Sequence, residues 1–179
     1  MKKIIFAGII ILVAISGVSS QVRLDLAIEV PKAAGFNADS GNELFDGSVD
    51  FFSQYTLPIP SAMAAYQFSL GPIHTGIGLK AYSAILLSLA WPYAYAELDL
   101  SPIVINVGIG GGAFMVFGMV NTINTANVFM PDFHIAYKFG DTFRLGIGAV
   151  GITGELFDSS GAFPYVFFLT GRFSMLFDE

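Results

Sequence analysis

Two histidines and no cysteine set the limits on the chemistry this sequence can carry. Thiolate metal sites, disulfides and a cysteine nucleophile are excluded outright. His74 and His134 share a strand face with Glu97 and Asp132, a residue set from which a metal site or an acid–base pair could be built. A hydrolase would also want a serine close to its histidine. His134 is followed by Ile135-Ala136, with no serine in reach along the strand, so the bland reading is two histidines satisfied inside a polar network.

A second candidate is Gly108-Ile109-Gly110-Gly111-Gly112-Ala113, which fits G-x-G-x-x-A. A dinucleotide site would need a helix opening there inside a βαβ unit, and an acid further on for the ribose. Neither is present. Read instead as a membrane helix, Ile103–Val120 would place Gly108 and Gly112 at G-x-x-x-G spacing. Its isolation among alternating segments argues against that. No catalytic residue, cofactor site or metal site is therefore assigned, and the elements that position these side chains become the question.

Composition narrows those elements. Of 179 residues, 54% are hydrophobic and only 12% charged, with a mean hydropathy of +0.68. Water-soluble domains carry roughly 25% charged residues. Lys2 and Lys3, an apolar run Ile4–Ile15 and the small residues Ser16-Gly17-Val18-Ser19-Ser20 make a secretory signal peptide, residues 1–20, with cleavage after Ser20. An uncleaved anchor is the competing reading, and the run is short for a span. The mature domain, 21–179, then holds six basic and fourteen acidic residues, a net −8. Such an acidic exported chain lacks the basic face that nucleic-acid binding requires.

From Val22 to Val30 every even position is apolar, while Arg23, Asp25 and Glu29 lie on the other face. Strict period two over nine residues predicts a strand of transmembrane length. Similar strands are predicted near 60–70, 73–82, 93–100, 103–114, 129–139, 143–152 and 163–177. Gly71-Pro72, Ser101-Pro102 and Gly140-Asp141-Thr142 make tight turns between them. The stretches 31–59, 83–92, 115–128 and 153–162 make longer connections. Eight strands with short turns at one end and long loops at the other predict an all-β fold. It is a single eight-stranded antiparallel transmembrane β-barrel, an up-and-down meander with periplasmic turns and extracellular loops.

The turns fix which face is which. Leu70 and Ile73 flank one turn and Leu100 and Ile103 another, each pair sharing a face. That parity turns Val22, Leu24, Leu26, Ile28, Ile77, Leu79, Ile135 and Leu169 outward. It turns Arg23, Asp25, Glu29, His74, Lys80, Glu97, Asp99, Asp132, His134, Lys138, Arg144 and Arg172 inward, five basic against five acidic besides the histidines. Buried charge is costly unless paired, so balance predicts a salt-bridged filled interior. Inward glycines on the odd strands, Gly76, Gly108 and Gly148 among them, face bulky residues on the even ones, as a narrow barrel packs. A ligand-sized void is the alternative use of those glycines. Two aromatic belts are expected, Trp91, Phe129, Phe163 and Tyr165 at the loop end and Tyr137, Phe139, Phe143, Phe173 and Phe177 at the turn end.

These features resemble the small outer-membrane β-barrel proteins of the OmpA, OmpX and OmpW type. The signal peptide, the strand Val22–Val30 and the last strand, Phe167–Phe177, carry the likeness. Alternate hydrophobes ending at Phe177 are similar to that family's assembly signal, from which the trailing Asp178-Glu179 departs. The resemblance implies insertion by the outer-membrane assembly machinery and no shared activity. The expected function is non-enzymatic, a structural or surface role of a monomer in outer-membrane lipid. Permeation would be at most narrow, and loop 31–59 could carry an extracellular ligand. The alternative is a lipid- or small-molecule-handling barrel: a narrow channel, a hydrophobic-ligand transporter or a lipid-modifying enzyme.

Overall fold

A computed structural model describes residues 19–36, 57–84, 87–119, 121–154 and 164–178. Residues 1–18 of the expected signal peptide, most of the expected first loop and Phe163 lie outside them. The described chain is all strand and turn: β1 (Ser19–Phe36), β2 (Ile59–Leu70), β3 (Ile73–Ala84), β4 (Leu87–Asp99), β5 (Ile103–Gly118), β6 (Thr122–Phe139), β7 (Phe143–Gly151), β8 (Thr153–Gly154) and β9 (Pro164–Asp178). Each strand pairs antiparallel with the next along β1 to β7. β7 then pairs with β9, and β9 returns to β1, so the sheet closes as a ring. The two-residue β8 pairs only with β6, at Val128 and Phe129.

The turn end is compact. Leu70 faces Ile73 across the first turn, and Gly71 supplies the positive φ of 58° that a tight turn needs. At the second turn Leu100 N–H donates to the Ile103 carbonyl at 2.9 Å, with a cis Ser101–Pro102 bond between. Backbone bonds from Asp99 to Pro72, Lys138 to Pro102 and Ser174 to Thr142 tie each of the three turns to a neighbouring strand.

At the other end the strands run further than the sequence pattern predicts. β3 and β4 leave only residues 85–86 between them where a connection over 83–92 is expected, and β5 and β6 absorb most of 115–128. The reason is physical. Toward this end the inward positions are themselves apolar, as with Pro31, Leu89 and Met130, so hydropathy stops alternating while backbone pairing continues. Irregularities also shift the register between Pro31 and Ala33, Ala90 and Tyr93, and Gly111 and Ala113. Such bulges reset which parity faces inward.

The two faces are chemically opposite. Large hydrophobics on the outside are between 37% (Ile135) and 77% (Met119) exposed and occur on every one of the eight ring strands. The inside holds Met63, Ala65, Trp91, Tyr93, Tyr95 and Met130 as a packed cluster, together with most of the charged strand residues. Small faces large across the ring. A Cβ on Gly76 would meet the Tyr95 ring, one on Gly108 the Tyr93 hydroxyl, one on Gly110 the Trp91 indole, and one on Gly148 the Phe168 ring.

Candidate functional site: the ring interior

Arg23 is the most enclosed side chain of the interior, 1% exposed. Its planar guanidinium forks onto Asp25, with Nε 2.8 Å and a terminal nitrogen 2.9 Å from the two carboxylate oxygens. The other terminal nitrogen lies 3.0 Å from Glu97 Oε2 and 3.1 Å from Gln67 Oε1. Glu97 Oε2 also accepts from Arg144 at 2.7 Å and from Asn106 at 3.4 Å. Arg172 comes within 3.5 Å of Asp25 Oδ2 and donates to His134 Nδ1 at 3.2 Å. Two carboxylates thus share three arginines, in the multiply bonded arrangement that buried charge requires. The Arg23 guanidinium also sits 5.2 Å from the Tyr95 ring centre, and the Tyr95 hydroxyl donates to Gln67 Oε1 at 2.8 Å.

Toward the loop end comes a second group. Lys80 Nζ is 2.7 Å from Asp132 Oδ2, and the Tyr93 hydroxyl donates to Asp132 Oδ1 at 2.8 Å. At the turn end Lys138 pairs with Asp99 at 2.7 Å, half-buried, and the Ser101 amide caps the same carboxylate.

Glu29 is different. It is 3% exposed, yet among the described residues it has no ion-pair partner and is held by hydroxyls, those of Ser61 at 3.1 Å and Tyr82. A cavity of about 380 Å³ opens beside it, lined by apolar side chains including Leu89, Trp91, Met130, Val150 and Phe168.

A much smaller cavity of about 10 Å³ lies among Glu97, Asn106, His134, Arg144 and Thr170. Asn106 Oδ1, His134 Nε2, Arg144 Nε and Thr170 Oγ1 are buried there without a protein hydrogen bond. The volume suits one water molecule. Since Arg172 donates to Nδ1 of His134, Nε2 carries the proton, and two N–H donors with two oxygen acceptors match what a single water exchanges.

Among the described residues no three His, Asp or Glu side chains are arranged to hold a metal. His74 and His134 do not act together, because each has its own partner. His74 does have a serine: Ser69 faces it across the hairpin, with Oγ 2.8 Å from Nδ1. The absence of a serine along the strand after His134 says nothing of His74, for which the Leu70–Ile73 turn pair dictates a Ser69–His74 pair one step on. A catalytic dyad would need an acid behind the histidine. The neighbouring carboxylates are engaged elsewhere, Glu97 by Arg23 and Arg144 and Asp99 by Lys138, and Ser69 also accepts from Gln67 at 3.1 Å.

Trp91 corrects the expected loop-end belt. It is 2% exposed and packs inside, against Tyr82 and Phe114, at ring-centre distances of 5.4 and 6.3 Å. It has the parity of Tyr93 and Tyr95, so placing it in a loop hid its true face. Phe129, Tyr137, Phe139, Phe173 and Phe177 are exposed on the outside, and Phe143 and Tyr165 are partly covered. Tyr137, Phe139, Phe143 and Phe173 form a chain of ring contacts at the turn end.

No protein-family model matches the sequence, and no curated protein matches it. Among solved structures the chain is similar to small outer-membrane β-barrel proteins. Neisserial surface protein A shares 12% identity over 88% of this chain and 98% of its own, with a TM-score of 0.47. The N-terminal β-barrel domain of Pseudomonas aeruginosa OprF shares 10% over 88% and 100%, with a TM-score of 0.41. Ail of Yersinia pestis, solved with the heparin analogue sucrose octasulfate, shares 7% over 87% and 97%, with a TM-score of 0.29. At such identities and scores neither membership nor activity carries over, so function has to come from this chain's own residues.

Proposed function

We propose that the protein is an outer-membrane β-barrel with a filled, salt-bridged interior and a structural or surface-interaction role. The mature domain of this reading is 21–179, exported on the signal peptide 1–20 and inserted as a monomer by the barrel-assembly machinery. The carrying observation is the sorting of side chains. Exposed large hydrophobics surround the whole outer wall, where an aqueous protein would be insoluble, and a closed ring leaves no sheet edge to face hydrocarbon. Inside, Arg23, Asp25, Glu97, Arg144 and Arg172 cross-link the wall at mid-height, with Lys80–Asp132 above and Lys138–Asp99 below. Such a lattice obstructs the lumen, and its paired charges offer no net selectivity for either sign of ion.

Gel migration of unboiled against boiled protein tests the barrel. A folded barrel shifts on boiling; identical migration together with a helical circular dichroism spectrum refutes it. Planar-bilayer conductance tests the filling. Only rare, small currents are expected from the wild type, and large steady single-channel currents would overturn the closed interior.

A further inference from the structure

We propose that the loop-end cavity is a binding site for a small apolar amine whose ammonium group pairs with Glu29. The site stands apart from the interior lattice, so it holds whether or not the lumen conducts. Every other buried or half-buried carboxylate described in the interior has a cation within reach: Asp25 has Arg23 and Arg172, Glu97 has Arg23 and Arg144, Asp132 has Lys80, and Asp99 has Lys138. Glu29 has two hydroxyl donors, Ser61 and Tyr82, and no cation at ion-pair distance; the nearest interacting cation, Arg172, is engaged by Asp25 and His134. A carboxylate has about four lone-pair sites, so two donors leave acceptor capacity over. A buried anion without a directly bonded counter-charge is costly, and a ligand that brings one lowers that cost.

The rest of the cavity specifies the rest of the ligand. Its wall is aliphatic and aromatic around about 380 Å³, within the range of small-molecule pockets and suited to an apolar body. Tyr82, Trp91 and Phe168 line the cavity that Glu29 shares, and aromatic faces attract an organic cation. One inward position further along β4 and β6, Tyr93 and Asp132 form a satisfied polar group with Lys80 of β3. An anionic amphiphile such as a fatty acid would meet Glu29 as a like charge and is excluded on that ground.

Trp91 is the sole tryptophan of the sequence and forms part of the cavity wall, so its emission reports occupancy directly. The mature chain in detergent micelles would be titrated with 4-phenylbutylamine, 4-phenylbutan-1-ol and 4-phenylbutyrate. A saturable change is expected with the amine, with the alcohol and the carboxylate weaker by about tenfold or more. Glu29→Gln should erase the amine's advantage and leave the alcohol unchanged, while Val150→Phe, which fills the cavity, should weaken all binding. Migration of unboiled protein establishes that each variant is folded. If Glu29→Gln does not fold, the amine-to-alcohol ratio and Val150→Phe still decide. Equal binding of amine and alcohol, an amine affinity unchanged in folded Glu29→Gln, or the absence of a saturable signal would overturn the proposal.

Discussion

The interior has two halves built on opposite accounts of charge. From the turn end up past mid-height to Asp132, each carboxylate is matched by one or two cations. At the loop end the walls turn apolar, and one carboxylate, Glu29, stands beside an open cavity with hydroxyls alone. The lesson is that net balance is not pairing. Five acids and five bases face inward, but the arginines crowd around Asp25 and Glu97, and the shortfall falls on Glu29.

The largest expected effect comes from breaking the paired half at its busiest carboxylate. Glu97→Ala strands Arg144, 2.7 Å from Glu97 Oε2, and leaves Arg23 with Asp25 as its one carboxylate partner. Removing one member of a buried pair costs about 3–5 kcal/mol. The expected result is a large drop in the urea midpoint followed by Trp91 emission, or no heat-modifiable form at all. A midpoint close to wild type would mean that the lattice is solvated and contributes little.

Next in size is Gly108→Val. Its Cβ would lie 2.6 Å from Asp132 Oδ1 and against the Tyr93 hydroxyl, and overpacking of this kind costs about 1–3 kcal/mol. The double variant with Tyr93→Ala should recover part of the loss, whereas equal midpoints for the single and double variants would show that the glycine is not there to seat the tyrosine.

How much of this could be read from the chain depends on where the alternation survives. Around Arg23, Asp25, Glu97 and Asp132 the outside is apolar and the inside polar, so period two reveals both strand and face. The same rule gives no signal at Trp91, which keeps the inward parity of Tyr93 and Tyr95 but follows Leu89 and Ala90 in a run that is apolar on both faces. The first strand shows both regimes: alternation is clear from Val22 to Val30, then Pro31 turns inward and the bulge at Lys32 shifts the parity, although pairing runs on to Phe36. Partnerships were less legible than faces. Ser69 opposite His74 follows from turn geometry alone, but that Arg23 bridges Asp25 to Glu97 depends on side-chain reach across the lumen, which no one-dimensional pattern encodes.

A smaller effect is expected at the rim of the paired half. Lys138 and Asp99 are 2.7 Å apart, but their side chains keep 18% and 15% of their exposure. Partly solvated pairs contribute about 0.2–1 kcal/mol. Lys138→Ala should therefore lower the urea midpoint only slightly, and less at high salt. A loss comparable to that of Glu97→Ala would place the turn end within the same dry lattice.

The smallest effect on stability is expected in the unpaired half, and it gives the sharpest contrast. Glu29 and Glu97 are both nearly inaccessible, at 3% and 2% exposure, so desolvation alone predicts similar consequences for neutralising either. Pairing predicts otherwise. Glu97→Gln removes the charge that two arginines share, whereas Glu29→Gln keeps an oxygen to accept from Ser61 or Tyr82 and discards a charge with no counter-ion at bonding distance among the described residues. The weaker acceptor costs about 1 kcal/mol, and relief of the buried charge offsets it, so Glu29→Gln should stay within about 1 kcal/mol of wild type. Urea midpoints for the two Gln variants, measured in the same micelles, make the comparison. Equal and large losses would mean that Glu29 is paired after all and that the two halves follow one rule. A stable Glu29→Gln protein that no longer prefers an amine would separate binding from folding at a single residue.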